Sequence, residues 1–186
     1  MKAHGESAAD APCDDEVVDR VCRGDTQAFA LLVDRYQRPV IALGRRFLHD
    51  HHEAEDFAQE VFLQAFRALG GYRRQGRFYP WLMRIAYHRG CRTVRRRPRF
   101  DQIDESTLID PAPTPAARAE ADSVHREIAA AVRELPKRYA DCTGLYYFFG
   151  MSYQEVSDVT GYPLNTVRSH IRRARLLLAQ RWGGER

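Results

Sequence analysis

Paired cysteines, long apolar runs and lysine are what this chain lacks. Its four cysteines, Cys13, Cys22, Cys91 and Cys142, stand far apart and none forms a CxxC pair. That excludes a zinc knuckle or a disulfide framework and leaves free thiols, the usual state in the cytoplasm. No apolar stretch approaches the roughly 20 residues needed to span a bilayer. Residues 1–15 are polar and acidic with no apolar centre, so they do not read as a signal peptide. Neither a Gly-rich phosphate loop nor a GxSxG is present. His49, His51, His52 and Glu53 cluster, but in a turn before a helix, where a solvated turn is a better reading than a metal site. The expectation is therefore a cytoplasmic protein that is not an enzyme, with no catalytic residues, no metal, no cofactor and no small-molecule substrate. Of 29 basic residues only Lys2 and Lys137 are lysine. Arginine suits phosphate and base recognition, although a GC-rich genome produces the same bias.

What is present is an uneven charge pattern. The chain has 186 residues, 44% hydrophobic and 29% charged, with a net charge of +4. That is enough for one medium domain or two small ones. Residues 1–66 carry net −6, residues 67–99 net +11, residues 100–134 net −5 and residues 135–186 net +4. The second of these stretches holds 11 arginines and no acid. Such a segment reads as binding a polyanion, most simply nucleic acid.

Pro98, Pro111, Pro113 and Pro115 crowd one acidic stretch in which apolar periodicity disappears. The chain thus divides at an acidic, Pro-rich, flexible linker over 98–122, with a module over 15–97 before it and one over 123–182 after it. Strand signals are almost absent, and the expected class is all-α: two small helical domains, the second with a helix-turn-helix. In the first module Phe29, Leu32, Val33, Tyr36, Val40, Leu43 and Phe47 form one apolar stripe capped by Asp25, with Pro39 predicted to kink or interrupt it. A second helix follows Asp50, buries Phe57, Val61, Ala65 and Leu69, and ends at Gly70-Gly71. A third starts at Pro80 and runs to about Arg97. The second module is predicted to have helices over 124–135, 139–149, 152–160 and 163–182.

The sharpest local signal lies in residues 151–175. Ser152 and Glu155 match a capping box, Val156 and Val159 face inward, and Gly161 suits the tight turn. Val167, Ile171 and Ala174 or Leu178 anchor the second helix. That leaves Asn165, Thr166, Arg168, Ser169, Arg172, Arg173 and Arg175 outward, near the end that enters a major groove in a helix-turn-helix. Asn and Arg make bidentate contacts to adenine and guanine edges, and the later arginines suit phosphates. The plain alternative is an α-hairpin with a solvated basic face. The absence of acid between Pro163 and Trp182 counts against it.

Ala54-Glu-Asp-Phe-Ala-Gln-Glu-Val-Phe-Leu-Gln-Ala-Phe-Arg, then Phe78-Tyr-Pro-Trp-Leu-Met-Arg-Ile-Ala, then the helix-turn-helix resemble a bacterial RNA polymerase sigma factor. The short layout is similar to the extracytoplasmic-function (ECF) type. The resemblance implies that Asp56, Gln59 and Glu60, a polar row opposite Phe57 and Val61, dock on the polymerase clamp. It implies that the arginine-rich segment recognises and melts the minus-ten element. Phe78, Tyr79 and Trp81 stand at its entrance, and Arg84, His88, Arg92 and Arg95 or Arg96 follow on one face. Aromatics interleaved with cations provide the stacking surfaces and backbone charge that single-stranded DNA needs. Trp81 reads equally well as a core residue. Many relatives carry Asn near the position of His88, which leaves the base-reading residue open. The resemblance further implies that the helix-turn-helix reads the minus-thirty-five element. The partners it implies are core RNA polymerase, promoter DNA and an anti-sigma factor, often at the membrane. The competing readings are a stand-alone helix-turn-helix regulator, which would carry an effector pocket or dimerisation helix in its first module, and an RNA-binding protein, which leaves the helix-turn-helix unexplained.

Overall fold

The computed structural model describes residues 12–48, 50–73, 77–96 and 127–183. The predicted linker over 98–122 lies outside them, as do His49 and the side chain of Arg96. The described residues form eight α-helices and no strand. In chain order these are α1 (Asp14–Cys22), α2 (Phe29–Gly44), α3 (His51–Ala68), α4 (Phe78–Arg96), α5 (127–134), α6 (Lys137–Tyr147), α7 (Tyr153–Thr160) and α8 (Leu164–Gly183).

The first module packs α1 to α4 around Val17, Leu32, Val40, Leu43, Phe57, Val61, Phe78, Leu82 and Met83, all nearly fully buried. Helix α1 has no counterpart among the predicted elements. Three acids, Asp14, Asp15 and Glu16, fill its first turn, where they favour the helix dipole. Val17, Val18 and Val21 form its buried face. Asp14 ties α1 to α2 by accepting from Arg35 and from the Tyr36 hydroxyl.

Three local expectations shift. Pro39 lies inside α2 and does not interrupt it. Its cost, about 3 kcal/mol in a helix interior, is offset by the burial of Val40 and Leu43 on the turns that follow. Asp25 caps a short 3-10 turn, Thr26–Ala28, that precedes α2. The third helix starts at Phe78, two residues before Pro80. The second helix behaves as read: Asp50 accepts from the His52 amide at 2.9 Å, and Phe57, Val61, Ala65 and Leu69 are buried.

In the second module Ser152 and Glu155 form a reciprocal capping box, and Gly161 ends α7 with a φ of 78°. A side chain in that left-handed conformation would strain the turn. Val156, Val159, Val167, Ile171 and Ala174 close the core. The apolar residues of both modules form one contiguous cluster, so in this structure the modules are packed together. The seam runs along α4. Tyr79 donates to the Phe149 carbonyl at 3.2 Å, Tyr87 donates to Asp141 at 2.8 Å, and Arg77 pairs with Glu155 at 2.6 Å.

Candidate nucleic-acid interface and polymerase-binding face

Helix α4 has two faces. Phe78, Leu82, Met83, Ala86 and Tyr87 are buried. Phe78 is 1% exposed, and its ring lies against Tyr36, Tyr72 and Trp81. As placed, it offers no surface to a nucleobase. Trp81 is half-buried, with the Tyr72 and Phe78 rings tilted against it at 5.2 and 5.5 Å between centroids. Tyr79 is half-buried and stacked on Tyr36, and burial pushes its hydroxyl up to about 12. Of the three aromatics, Trp81 and Tyr79 keep part of their surface in solvent.

On the outer face Arg84, Arg92 and Arg95 are exposed and His88 is half-buried between them. Burial first, then the charges of Arg84 and Arg92, hold the His88 imidazole below the ordinary histidine range. A ring kept neutral presents one donor and one acceptor nitrogen. The strip is thus three fixed positive charges around one neutral hydrogen-bonding ring. It can follow a phosphate backbone and still contact a base.

Helix α8 is arranged differently. Val167, Ile171 and Ala174 form a narrow buried line. Asn165, Arg168, Ser169, Arg172, Arg173 and Arg175 are exposed, and Thr166 is half-buried. The Asn165 side chain accepts from Arg168 at 3.3 Å, which orients two side chains of the first turn toward the same patch.

Asp56, Gln59 and Glu60 are exposed along one side of α3. Gln59 also borders a shallow groove between α2 and α3, with Val33, Gln37, Ile41, Glu55 and Phe62. Glu60 pairs with Arg89 of α4, a link the sequence did not reveal. It joins the acidic row to the helix that carries the arginine strip. Pairing across 29 residues has no local signal.

An exposed acidic row, an arginine strip and a helix-turn-helix follow one another along the chain, the order expected of a transcription initiation factor. Comparison with known families agrees: Sigma-70 region 2 matches residues 32–100 and Sigma-70 region 4 matches residues 125–178. The chain belongs to the sigma-70 family, as an RNA polymerase sigma factor of the ECF type that directs promoter recognition by the core enzyme. It is 36% identical over 173 residues to the RNA polymerase sigma-H factor of Pseudomonas aeruginosa, spanning 87% of this chain and 90% of that one. It is 31% identical over 173 residues to the ECF RNA polymerase sigma-E factor of Escherichia coli K12, again across 87% and 90%. Two solved structures share the fold. CnrH in complex with the cytosolic domain of CnrY has a TM-score of 0.68 at 24% identity, covering 93% of this chain and 99% of that one. The sigma factor RpoE with the anti-sigma factor NepR from Bartonella quintana has a TM-score of 0.66 at 17% identity, covering 85% and 98%. These matches favour the initiation-factor reading over a stand-alone regulator. No helix among the described residues is long and apolar enough to cross a membrane.

Proposed function

We propose a division of labour for this sigma factor. Residues 15–97 dock on core polymerase through Asp56, Gln59 and Glu60 and open the minus-ten element. Residues 98–122 connect them to residues 123–182, which read the minus-thirty-five element in duplex form. Arg84, His88, Arg92, Arg95 and Arg96 hold the opened strand, with Trp81 and Tyr79 as the available aromatic edges; Phe78 supports them from the core. Asn165, Thr166, Arg168, Ser169 and Arg172 face the bases, and Arg173 and Arg175 the phosphates. The observation that carries this reading is the contrast on α4 between a buried aromatic face and an exposed, acid-free cationic one. The chain acts in the cytoplasm as a binding subunit rather than an enzyme, by extension from the relatives named as RNA polymerase sigma factors. An anti-sigma factor is a further partner, by extension from the relatives captured with CnrY and with NepR.

Mapping start sites made by core polymerase plus this chain on a genomic promoter library tests the whole. Start sites should share two elements at fixed spacing. Reversing charge at Asp56 and Glu60 should abolish them and weaken association with core; because Glu60 also pairs with Arg89, the helical circular dichroism of the double variant is read alongside and should be unchanged. Start sites unchanged in the double variant would exclude the α3 row as the polymerase contact.

A further inference from the structure

Arg35, Arg77, Arg89 and Arg181 are each held by a carboxylate, from Asp14, Glu155, Glu60 and Glu134 in turn. Such a pair fixes the side chain and cancels its charge. Arg168, on the outer face of α8, is held differently. Its Nη1 donates to the Asn165 side-chain carbonyl at 3.3 Å, three residues earlier on the same helix, a spacing that brings two side chains together. No acid lies between Pro163 and Trp182, so no carboxylate on α8 competes for the guanidinium. A neutral carbonyl holds the fork in place and leaves its full charge for DNA.

The other polar groups of this turn are set with it. The Ser169 hydroxyl donates to the Asn165 backbone carbonyl at 2.9 Å, which turns its hydrogen back onto the helix and leaves its lone pairs outward. Asn reads adenine by presenting its carbonyl and amide side by side to one base. The Asn165 carbonyl is aligned on Arg168 instead, which leaves its amide group as a donor. The exposed start of α8 thus offers donors from Arg168 and Asn165 and an acceptor from Ser169. The planar fork of Arg168 fits an edge with two acceptors, O6 and N7 of guanine, and has no acceptor for the amino group of adenine.

We propose that Asn165 is a positioning residue of the minus-thirty-five interface: it holds the Arg168 fork toward a guanine edge and reads no base of its own. This role rests on the assignment of α8 to duplex DNA above, and it replaces the adenine contact that the residue type alone suggests.

A double-mutant cycle tests it, on the full chain bound to core polymerase, with closed complexes measured by low-temperature gel shift. Arg168→Ala should weaken the closed complex about tenfold and relax base preference at one position of a randomised minus-thirty-five element. Asn165→Ala should weaken it about two- to fivefold, relax that same position and leave the unfolding midpoint unchanged. Its loss should vanish in the Arg168→Ala background, because the group it positions is gone. Asn165→Asp keeps an oxygen for Arg168, so it should retain the base preference even where its charge lowers affinity for all sequences. Losses that add in the double variant, or relaxation by Asn165→Ala at a second position, would make Asn165 a base reader and overturn the positioning role. Wild-type affinity and preference in Asn165→Ala would overturn it as well. Uniform weakening by Arg168→Ala, with no position relaxed, would make Arg168 a phosphate contact and overturn the guanine edge. An Arg168→Ala variant that binds like wild type would instead overturn the assignment of α8 to the duplex.

Discussion

Helices α4 and α8 are both long, acid-free and rich in arginine, yet they are set into the protein in opposite ways. Helix α4 is held on two sides. One flank fills the core of the first module with Phe78, Leu82, Met83 and Ala86, and Tyr87 is tied to the second module. A strip of Arg84, His88, Arg92 and Arg95 is left to solvent, with Val94 exposed beside its end. Helix α8 is anchored along one line, Val167, Ile171 and Ala174, flanked by half-buried Thr166, His170, Leu177 and Leu178, and its opposite side, with Asn165, Arg168, Ser169, Arg172 and Arg173, is exposed. A free-standing helix can enter a groove; an embedded one can only offer an edge along which a strand is laid. Under the proposed division of labour, the same cationic chemistry serves two different forms of DNA because the packing differs.

The comparison breaks most severely at Phe78. Replacing this buried ring by Ala should cost about 3–5 kcal/mol of stability, read as a lowered unfolding midpoint. If Phe78 instead acted only by stacking on DNA, the midpoint would stay put and only opening would suffer.

Arg168→Ala and Arg172→Ala are the next largest. A lost bidentate base contact should cost about 1–3 kcal/mol of duplex binding and relax preference at one position. A lost phosphate contact should weaken all sequences alike and flatten the salt dependence. Competition binding at several salt concentrations separates these outcomes, and neither variant should alter the unfolding midpoint.

The smallest effect is a pH dependence. Burial first, then the charge of Arg138, holds His170 below the ordinary histidine range. Its ring lies against Tyr139, Tyr162 and the Cys142 sulfur. Because the unfolded chain takes up the proton more readily, the stability contributed by neutral His170 is fully present above the unfolded value of about 6.5. It is lost as pH falls toward the lower folded value. His88 acts in the same direction. Denaturant unfolding between about pH 7.5 and 5 should show declining stability, and His170→Gln should flatten the slope. An unchanged slope in that variant would remove His170 as a source.

The helix-turn-helix was the most legible part of the sequence because its signals are local. Ser152, Glu155 and Gly161 act within a few residues of one another, and each takes the predicted role. Pro39 does not interrupt α2 because its cost is local while its compensation, Val40 and Leu43 in the core, is tertiary. Helix α1 went unseen because three valines among acids give too short a period to stand out from a polar terminus. Phe78 and Trp81 look alike beside a run of arginines, yet only folding shows that the first is core. The seam was out of reach altogether, since it joins Arg46 to Asp141 across about half of the chain.

Under the proposed division of labour α4 opens DNA and α8 holds it as duplex. Permanganate reactivity of one promoter, read beside a low-temperature gel shift of the same complexes, tests this most directly. Replacing His88 or Arg92 with Ala should leave the closed complex in place and suppress permanganate-reactive thymines at the minus-ten element. Replacing Arg168 with Ala should lower the closed complex, with reactivity falling only in proportion. If both groups of variants lose the closed complex and the reactive thymines to the same extent, the two helices do not divide the work.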